Sequence, residues 1–380
     1  MTATTGTIER VETLIIGAGQ AGLAAGYHLS RRGRPFLILD ANDRIGDQWR
    51  RRWDSLLLFS PARWDGLPGR PFPAPGWSYP SGRQMADYLE DYAASLELPV
   101  RSATRVSRLV TAGDGSDELI AVAGDRRFRA RHVIVATGAF TVPAVPAIAG
   151  QLDPGIRQLH SGEYRDPSQL ADGPVLVVGL GHSGADIAFE TAATHRTILS
   201  GRSHGEVPFR VLGTWRAHVF LRVLGLVEDH VLTIRTPIGR KAAARSRVLS
   251  APLLRVRSAE LAQAGVEHHE SRVTSVRDGK PVLDDGMVLD VANVIWATGF
   301  RPDFSWIERL ATDADGWPVE QRGVSSMPGL YFLGLPFQYG VNSMLIHGAS
   351  RDAGYVVDRI AERVLAARGA RGVEPMAATS

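Results

Sequence analysis

Two copies of one glycine pattern, spaced 162 positions apart, restrict the folds open to this chain. The first copy is LIIGAGQAG at residues 14–22, and the second is LVVGLGHSG at residues 176–184. Each is a short apolar run, then Gly-x-Gly-x-x-Gly, then a segment with helical spacing, which predicts a buried strand, a tight turn and a helix. The glycines of such turns admit a pyrophosphate, and the helix N-terminus faces its negative charge. One copy alone is a weak signal, whereas two copies predict an α/β fold with two Rossmann-like dinucleotide-binding domains.

The residues that follow the two motifs distinguish the predicted sites. Asp40 lies 23 positions beyond Gly17, and Arg202 lies 23 positions beyond Gly179. A carboxylate there accepts hydrogen bonds from ribose hydroxyls, whereas an arginine can hold a 2′-phosphate. We therefore expect an adenine dinucleotide without a 2′-phosphate at the first site and NADP at the second. The alternative for Arg202 is an ordinary solvated surface charge.

Composition excludes several classes of function. The chain has 380 residues, 44% hydrophobic and 22% charged, which is ordinary for a globular enzyme with two domains. The net charge of +3 does not favour nucleic acid as a partner. The absence of cysteine excludes a redox dithiol, disulfides, iron–sulfur clusters and cysteine-bound zinc, and no metal site is indicated. The polar start of the chain is not a signal peptide and no apolar run approaches the length of a membrane span, so we expect a cytoplasmic protein.

Strand and helix patterns alternate from the first motif onward. Residues 60–82 contain six prolines and four glycines, which predicts a long ordered loop, and loops of that length are often functional. The predicted strands are 11–16, 36–40 and three short ones at 106–112, 118–123 and 126–130; the predicted helices are 21–30, a helical pattern across 85–93, and 349–367.

An apolar strand runs into Ala-Thr-Gly at two places, residues 132–138 and 293–299. A small residue and a glycine at a strand end allow close approach of another backbone. Paired with the two glycine motifs, these segments predict one exit strand for each nucleotide domain.

The stretch from Trp215 to Val256 mixes apolar residues with arginine and lysine. It suits either an anionic membrane surface or a solvated helical insertion that lines the substrate entrance. We favour the insertion, because the basic residues form no long uniform face. They are Arg216, Arg222, Arg235, Arg240, Lys241, Arg245 and Arg247.

Together these motifs resemble those of the two-dinucleotide-binding flavoproteins, and within them the class B flavin-dependent monooxygenases. That group includes flavin-containing monooxygenases, YUCCA enzymes, N-hydroxylases and Baeyer–Villiger enzymes; the nearest branch looks like the bacterial flavoproteins labelled with a role in potassium transport. The resemblance covers nearly the whole chain. It rests on GAGQAG (17–22), IGDQWR (45–50), ATG (136–138), HSGEYR (160–165), GLGHSG (179–184), ATGF (297–300) and GLYFLG (329–334).

The resemblance implies FAD at the first site and NADPH at the second. In the family's chemistry NADPH reduces the flavin, oxygen adds to give a C4a-(hydro)peroxyflavin, and that species oxygenates a substrate. The cofactor carries the hard step while the protein supplies placement and exclusion of water. The chain's lack of a Ser-His-Asp set or a His-Glu-x-x-His motif agrees with such chemistry.

Two departures from the family pattern bear on oxygenation rather than on flavin reduction. The fingerprint Phe-x-Gly-x-x-x-His-x-x-x-(Phe/Trp/Tyr) is half present: His160 and Tyr164 fit its end, but Gly155 lies one position too far upstream. Several family members also carry an asparagine near the flavin. An alignment on residues 56–61 places Phe59 there.

The resemblance and the motifs together give a set of site residues. The predicted catalytic residues are Trp49, Phe59 and Asn342. The predicted cofactor-binding residues are Gly17, Gly19, Gln20, Ala21, Gly22, Asp40, Gln48, Trp49, Val106, Thr137, Gly138, His160, Gly179, Gly181, His182, Ser183, Gly184, Arg202, Ser203, Thr298, Gly299 and Gly334.

Three of these residues have structural alternatives. His160 suits a hydrogen bond to a hinge backbone between the domains as well as a cofactor contact. His182 suits a pyrophosphate contact, although polar residues are common at helix starts without ligands. Trp49 suits a place beside the flavin or in the core.

The predicted architecture is an FAD domain of residues 1–168 and 292–380, with an NADP domain of residues 169–291 inserted in it. The predicted function is an NADPH-dependent monooxygenase that uses molecular oxygen on a small, largely apolar substrate. The alternatives are an NADPH oxidase or reductase without oxygen insertion, and a flavin- and nucleotide-sensing regulator of a transport system. Self-association stays open.

Overall fold

The fold is given by a computed structural model, which describes residues 8–206, 215–246 and 252–371. Its helices are α1 (Gln20–Arg31), α2 (Asp47–Arg50), α3 (Gly82–Ser95), α4 (His182–Thr191), α5 (Trp215–His230), α6 (Pro237–Ser246), α7 (Ser258–Gln263) and α8 (Ile346–Arg371). Its strands are β1 (Ile8–Ile16), β2 (Phe36–Leu39), β3 (Val100–Arg101), β4 (Arg108–Thr111), β5 (Leu119–Ala123), β6 (Arg126–Val135), β7 (Val142–Pro143), β8 (Arg157–His160), β9 (Val175–Val178), β10 (Thr197–Ser200), β11 (Glu267–His269), β12 (Val273–Arg277), β13 (Lys280–Leu283), β14 (Asn293–Trp296), β15 (Phe300–Arg301), β16 (Glu320–Gln321), β17 (Val324–Ser325) and β18 (Leu330–Phe332).

The first sheet carries the first glycine motif. Its order is β16-β17-β18-β6-β1-β2-β3, with β4 and β5 attached beside β6, and strands β3, β2, β1, β6 and β18 are parallel. Ile15 packs into one core cluster, while Leu14 and Ile16 pack into another on the opposite face. Burial on both faces explains why this part of β1 is a continuous apolar run.

Helices α1, α3 and α8 supply the core cluster that contains Ile15. His28 Nε2 lies 3.1 Å from the carbonyl oxygen of Ser350, and further along both helices Arg32 pairs with Asp358. Helices α1 and α8 therefore run in the same direction. As a result, the N-terminus of α8 lies towards the glycine turn that precedes α1.

The second sheet carries the second motif and is parallel throughout, in the order β11-β10-β9-β14-β8. Val177 and Ile295 pack on one side and Leu176 and Val294 on the other. This sheet thus repeats the arrangement of the first: the strand before each motif, β1 or β9, lies beside an exit strand, β6 or β14. The predicted pair of exit strands is confirmed.

Sheet membership differs from the predicted domain boundaries at both edges. β8 and β14 pair in the second sheet, whereas the edges drawn at residues 168 and 292 assigned both strands to the FAD domain. The chain pairs with the first sheet again at β18. An apolar run alone does not reveal its hydrogen-bond partner, which decides sheet membership. Similarly, the strand predicted at 126–130 and the exit strand after it form one continuous strand, β6.

The stretch from Trp215 to Val256 contains helices α5 and α6, as predicted for an insertion. Leu221 of α5 is buried against Trp64, Trp77 and Tyr79, which belong to the proline-rich loop of residues 60–82. The insertion therefore packs on that loop. Across the described ranges, no helix is both long and apolar enough to cross a membrane. Residues 1–7 and Arg247, to which sequence predictions also referred, lie outside the described residues.

Candidate functional site

The three glycines of the first motif differ in what surrounds them. A Cβ on Gly17, whose φ is +110°, would lie 2.4 Å from the Ala136 carbonyl oxygen, and a Cβ on Gly22 would lie 1.9 Å from the Gly17 carbonyl oxygen. These two positions require glycine for the turn and for helix packing. Gly19 has an ordinary extended backbone, with φ of −79°, and a Cβ there would meet nothing within 4 Å. The protein itself therefore gives no reason for glycine at position 19, and the open volume fits an approaching phosphate group.

The second motif has the same geometry. A Cβ on Gly179, with φ of +110°, would lie 2.5 Å from the Ala297 carbonyl oxygen, and one on Gly184 would lie 1.8 Å from the Gly179 carbonyl oxygen. Gly181 is extended, as Gly19 is. Neither α1, which opens with Gln20 and Ala21, nor α4, which opens with His182 and Ser183, has a side-chain N-cap. The first backbone N–H groups of both helices are therefore available to an anionic ligand.

Asp40, at the end of β2, is fixed against the first turn. Its carboxylate accepts hydrogen bonds from the Ala18 N–H at 2.6 Å and from the Asn42 N–H and side-chain amide at 2.8 and 2.9 Å. The carboxylate is thus buried and held beside the motif. Its predicted contact with a ribose stays a prediction.

Arg202 and Ser203 follow β10 beside the second turn. Arg202 is exposed, and it makes no hydrogen bond or ion pair with any residue that the structure describes. Ser203 Oγ accepts a hydrogen bond from the Gly205 N–H at 3.2 Å. An exposed guanidinium without a counter-ion suits a 2′-phosphate, so the predicted role of Arg202 agrees with its surroundings but remains untested.

Thr137, Gly138, Thr298 and Gly299 lie at the ends of the two exit strands. The two glycines have φ of +82° and +79°, and neither has a neighbour within 4 Å of the Cβ position. Thr137 is exposed, whereas Thr298 Oγ1 donates a hydrogen bond to the Ala144 carbonyl oxygen at 2.8 Å. Gly334 lies beside the first motif, because a Cβ there would meet that of Ala21 at 3.3 Å.

The contacts of His160 are hydrogen bonds to the backbone, as in the alternative to a cofactor contact. Its Nδ1 accepts from the Gly162 N–H at 3.1 Å, which leaves Nε2 as the donor to the Gly299 carbonyl oxygen at 2.9 Å. Burial lowers the pKa of His160, so the ring is held neutral in this tautomer. The side chain ties β8 to the second exit turn, and a direct cofactor contact stays a prediction.

The segment of residues 56–65 reaches the second motif through Phe59. The Phe59 ring meets the His182 ring edge to face, with centroids 5.3 Å apart, and His182 Nε2 lies 2.8 Å from the Pro252 carbonyl oxygen. Beside this contact is a cavity of about 130 Å³. It is lined by Trp53, Leu56, Leu57, Phe59, His182, Ser183, Ala185, Asp186, Leu253, Leu254, Arg255 and Val256.

The other predicted residues on the FAD side have mainly packing contacts. Trp49 is partly buried against the core cluster of α1, α3 and α8, whereas its neighbour Gln48 is exposed. Val106 packs on the second core cluster and precedes β4, so the strand predicted from residue 106 begins two residues later. The contacts of Trp49 agree with the alternative in which this side chain packs in the core.

Asn342 is fully buried, and both ends of its amide are occupied. Nδ2 donates to Asp229 at 2.9 Å, and Oδ1 accepts from Arg351 at 2.9 Å. These bonds tie the turn before α8 to helix α5. The amide therefore has a positioning role in the protein, and its predicted catalytic role is untested.

The sequence analysis did not identify Asp65 and His347 as site residues. Asp65 is completely buried in the proline-rich loop, where Ser60 Oγ donates to Oδ1 at 2.5 Å and burial raises the carboxyl pKa to about 7. His347, in the first turn of α8, lies close enough to affect that pKa, and its ring is 5.8 Å from the Trp64 ring. An acidic residue between aromatic side chains in a loop rich in proline was the available signal.

Comparison with known proteins agrees with this geometry. Residues 14–206 match the pyridine nucleotide-disulphide oxidoreductase family. An uncharacterized CzcO-like oxidoreductase of Geobacillus kaustophilus is 39% identical, over 92% of this chain and 98% of the relative. The indole-3-pyruvate monooxygenase YUCCA4 of Oryza sativa is 27% identical, over 92% of this chain and 87% of the relative.

A solved structure shows the same fold. The flavin-containing monooxygenase of Stenotrophomonas maltophilia is 29% identical, with a TM-score of 0.71 over 94% of this chain and 99% of that one. The resemblance inferred from the motifs is therefore confirmed. This chain is an oxidoreductase that belongs to the pyridine nucleotide-disulphide oxidoreductase family and, within it, to the class B flavin monooxygenases.

Proposed function

We propose that this protein is an NADPH-dependent FAD monooxygenase that oxygenates a small, largely apolar organic substrate. The observation that carries the proposal is the duplicated turn, in which Gly19 leaves open the volume that its Cβ would fill. A second such turn, with the exposed side chain of Arg202 beside it, suits a nucleotide that carries a 2′-phosphate.

Residues of the first sheet would hold FAD. The N-terminus of α1 and Gly19 suit the pyrophosphate, and Asp40 suits the ribose. Bound FAD would supply hydride acceptance and oxygen activation, chemistry that amino-acid side chains lack. The chain has no cysteine that could take electrons from the flavin, which favours oxygen as their acceptor.

Residues of the second sheet would hold NADPH, with its pyrophosphate at the N-terminus of α4 and its 2′-phosphate at Arg202. Phe59 and Leu57 line the cavity next to His182 and Ser183. Their role is to exclude water from the space between the two nucleotide sites.

The second candidate is an NADPH oxidase or reductase that inserts no oxygen. Phe59 favours it, because a phenyl ring offers no hydrogen bond where several relatives of this family have an asparagine. Phe59 is also 37% exposed, which leaves the cavity wall partly open to water.

The deciding experiment starts with the FAD-loaded protein reduced anaerobically by NADPH and then mixed with oxygen in a stopped-flow spectrometer. A monooxygenase gives a transient absorbance that belongs to neither reduced nor oxidised flavin, and it gives ¹⁸O-labelled product from a panel of amines, sulfides and ketones. Direct return to oxidised flavin with one hydrogen peroxide per NADPH, whatever the substrate, favours the oxidase. Bound FAD without NADPH turnover favours a nucleotide sensor.

A further inference from the structure

Trp53 carries a buried hydrogen-bond donor that the described part of the chain does not satisfy. The side chain is 6% exposed and packs in the core cluster that contains Ala185 and Leu253. Its indole Nε1 has no hydrogen-bond partner among the residues that the structure describes. An indole nitrogen only donates, and buried polar atoms are nearly always paired. The Trp53 N–H therefore requires an acceptor that these residues do not supply.

The cavity beside the second glycine turn is the open space that the Trp53 side chain borders. Its volume is about 130 Å³, and an engineered apolar cavity of about 150 Å³ binds benzene. One six-membered ring with a small substituent therefore fits, whereas a dinucleotide does not. Most of the lining comes from leucine, valine, alanine and aromatic side chains. Apolar sides with a few polar groups are typical of small-molecule sites.

The arginine and the aspartate of the lining offset each other's charge. Arg255 Nε lies 3.1 Å from both carboxylate oxygens of Asp186, and Arg255 Nη2 lies 2.7 Å from Oδ2. Asp186 is 6% exposed, so the protein holds this ion pair in a fixed place. A bound ion would face both signs of charge at once and would have lost its hydration shell. The lining therefore favours a neutral molecule.

We propose that this cavity binds a neutral, apolar molecule of one ring that accepts a hydrogen bond from Trp53 Nε1. A hydrocarbon of the same size fits the volume but leaves the indole N–H without a partner. The site lies beside the contact between Phe59 and His182, next to the predicted NADPH site and not within it. The inference goes beyond the proposed function, because the binding requires neither NADPH nor oxygen.

The test is isothermal titration of the oxidised, FAD-loaded protein with toluene, benzonitrile, benzyl alcohol and benzoate. Toluene and benzonitrile have similar shapes, but only benzonitrile has a hydrogen-bond acceptor. We expect benzonitrile and benzyl alcohol to bind about threefold to tenfold more tightly than toluene, since that is the usual net effect of one hydrogen bond. Benzoate should bind most weakly. Saturating NADP⁺ should change the affinities of the neutral probes less than twofold.

Trp53→Phe removes the indole N–H and keeps an aromatic ring in its place. This variant should weaken benzonitrile to the level of toluene, while the affinity of toluene changes less than twofold. The control is Trp306→Phe. It removes an indole N–H that is bonded to the Asp303 carbonyl oxygen, and Trp306 does not line the cavity. The control should change the binding of no probe.

Leu57→Trp is the second variant, in case Trp53→Phe does not fold. Its larger side chain should fill the cavity and weaken all three neutral probes at least tenfold. Equal affinities of toluene and benzonitrile for the unaltered protein, or tightest binding of benzoate, overturn the inference. The absence of saturable binding also overturns it and means that water completes the bond to Trp53.

Competition between NADP⁺ and the probes overturns the inference as well, because it assigns the cavity to the nucleotide site. The titration needs no turnover, so the two proposals fail separately. Failure of probe binding with intact NADPH oxidation rejects this site alone. Probe binding without any NADPH oxidation rejects the proposed function alone.

Discussion

The ring of Phe59 packs edge to face on the ring of His182, with an interplanar angle of 71°. Phe59 belongs to a loop that follows the first nucleotide motif, whereas His182 opens the helix of the second. The contact therefore joins the two halves of the predicted reaction site.

Phe59→Ala should increase the release of hydrogen peroxide per NADPH consumed. The substitution removes an aromatic contact worth about 0.5–1.5 kcal/mol beyond its buried area, and it opens the cavity wall to water. The measurement is peroxide yield against NADPH consumption. Phe189→Ala, at an exposed phenylalanine on α4, is the control and should leave the yield unchanged. An unchanged yield in Phe59→Ala means that this ring does not shield the site.

Gly19→Val should abolish FAD binding while the protein still folds. The extended backbone at position 19 accepts valine and no protein atom lies near its Cβ, so the clash is with the phosphate alone. Flavin content and thermal melting of the purified variant are the measurements. Gly150→Val, also into open space, is the control and should keep its flavin. A yellow Gly19→Val protein contradicts the assignment.

Gly22→Ala tests the structural role of a neighbouring glycine. Its Cβ would lie 1.9 Å from a backbone oxygen, so the turn must shift and the protein should lose stability with or without flavin. A loss of about 1–3 kcal/mol is typical of overpacked sites. Urea unfolding of the flavin-free protein measures it, and full stability would show that the turn adjusts freely.

Arg202→Ala should remove most of the preference for NADPH over NADH. A charge-assisted bond to the 2′-phosphate contributes about 1.5–3 kcal/mol, which is roughly tenfold to a hundredfold in selectivity. Rates of anaerobic flavin bleaching with each nucleotide give the ratio, and the NADH rate should not change. Arg31→Ala, which removes an exposed arginine at the C-terminus of α1, is the control and should leave the preference unchanged. Equal rates with both nucleotides in the unaltered protein would refute the assignment.

Asp65 should make the flavin-free protein less stable as pH rises from about 4 to about 7. Burial raises the pKa of this carboxyl to about 7, so the native state holds a proton that the unfolded state has lost in this range. The stability that the proton gives is complete below the unfolded pKa of 3.8 and is lost as pH rises through the native pKa, by a few kcal/mol at most.

The Asp65→Asn variant isolates this effect. Ser60, Tyr79, Tyr88 and His347 lie near Asp65 in both proteins, so their own contributions largely cancel in the difference. His132 has the opposite slope and also cancels: burial lowers its pKa to about 4, so its contribution is lost as pH falls from about 6.5. Urea unfolding of both proteins at several pH values gives the difference, and a flat difference would show that Asp65 is ionised throughout.

The sequence predicted those parts of the fold that depend on local pattern. The glycine turns, the strands before them and the exit strands each carry a signal within about ten residues. Membership of β8 in the second sheet was missed, since its partner strand β14 lies more than a hundred positions away in the sequence.

The hydrogen-bond partners of side chains in the site could not be predicted from the sequence either. Asn342 is hydrogen-bonded to Asp229, which is 113 positions away in the sequence, and His160 is hydrogen-bonded to Gly299, which is 139 positions away. Asp65 was missed for another reason: its aromatic, proline-rich surroundings in the sequence do not show by themselves that the carboxyl is completely buried. In the folded protein α5 packs against that loop, and Asp65 is completely buried there.

Both glycine turns are shaped by main-chain carbonyl oxygens that lie too close to leave room for a side chain. Gly17 rests on the Ala136 carbonyl and Gly179 on the Ala297 carbonyl, so few side-chain identities are needed to keep either turn in shape. The cavity, in contrast, is lined by side chains, among them Leu57, Phe59 and Leu253. Substitutions at these cavity residues can therefore change the shape of the cavity while the two glycine turns keep theirs.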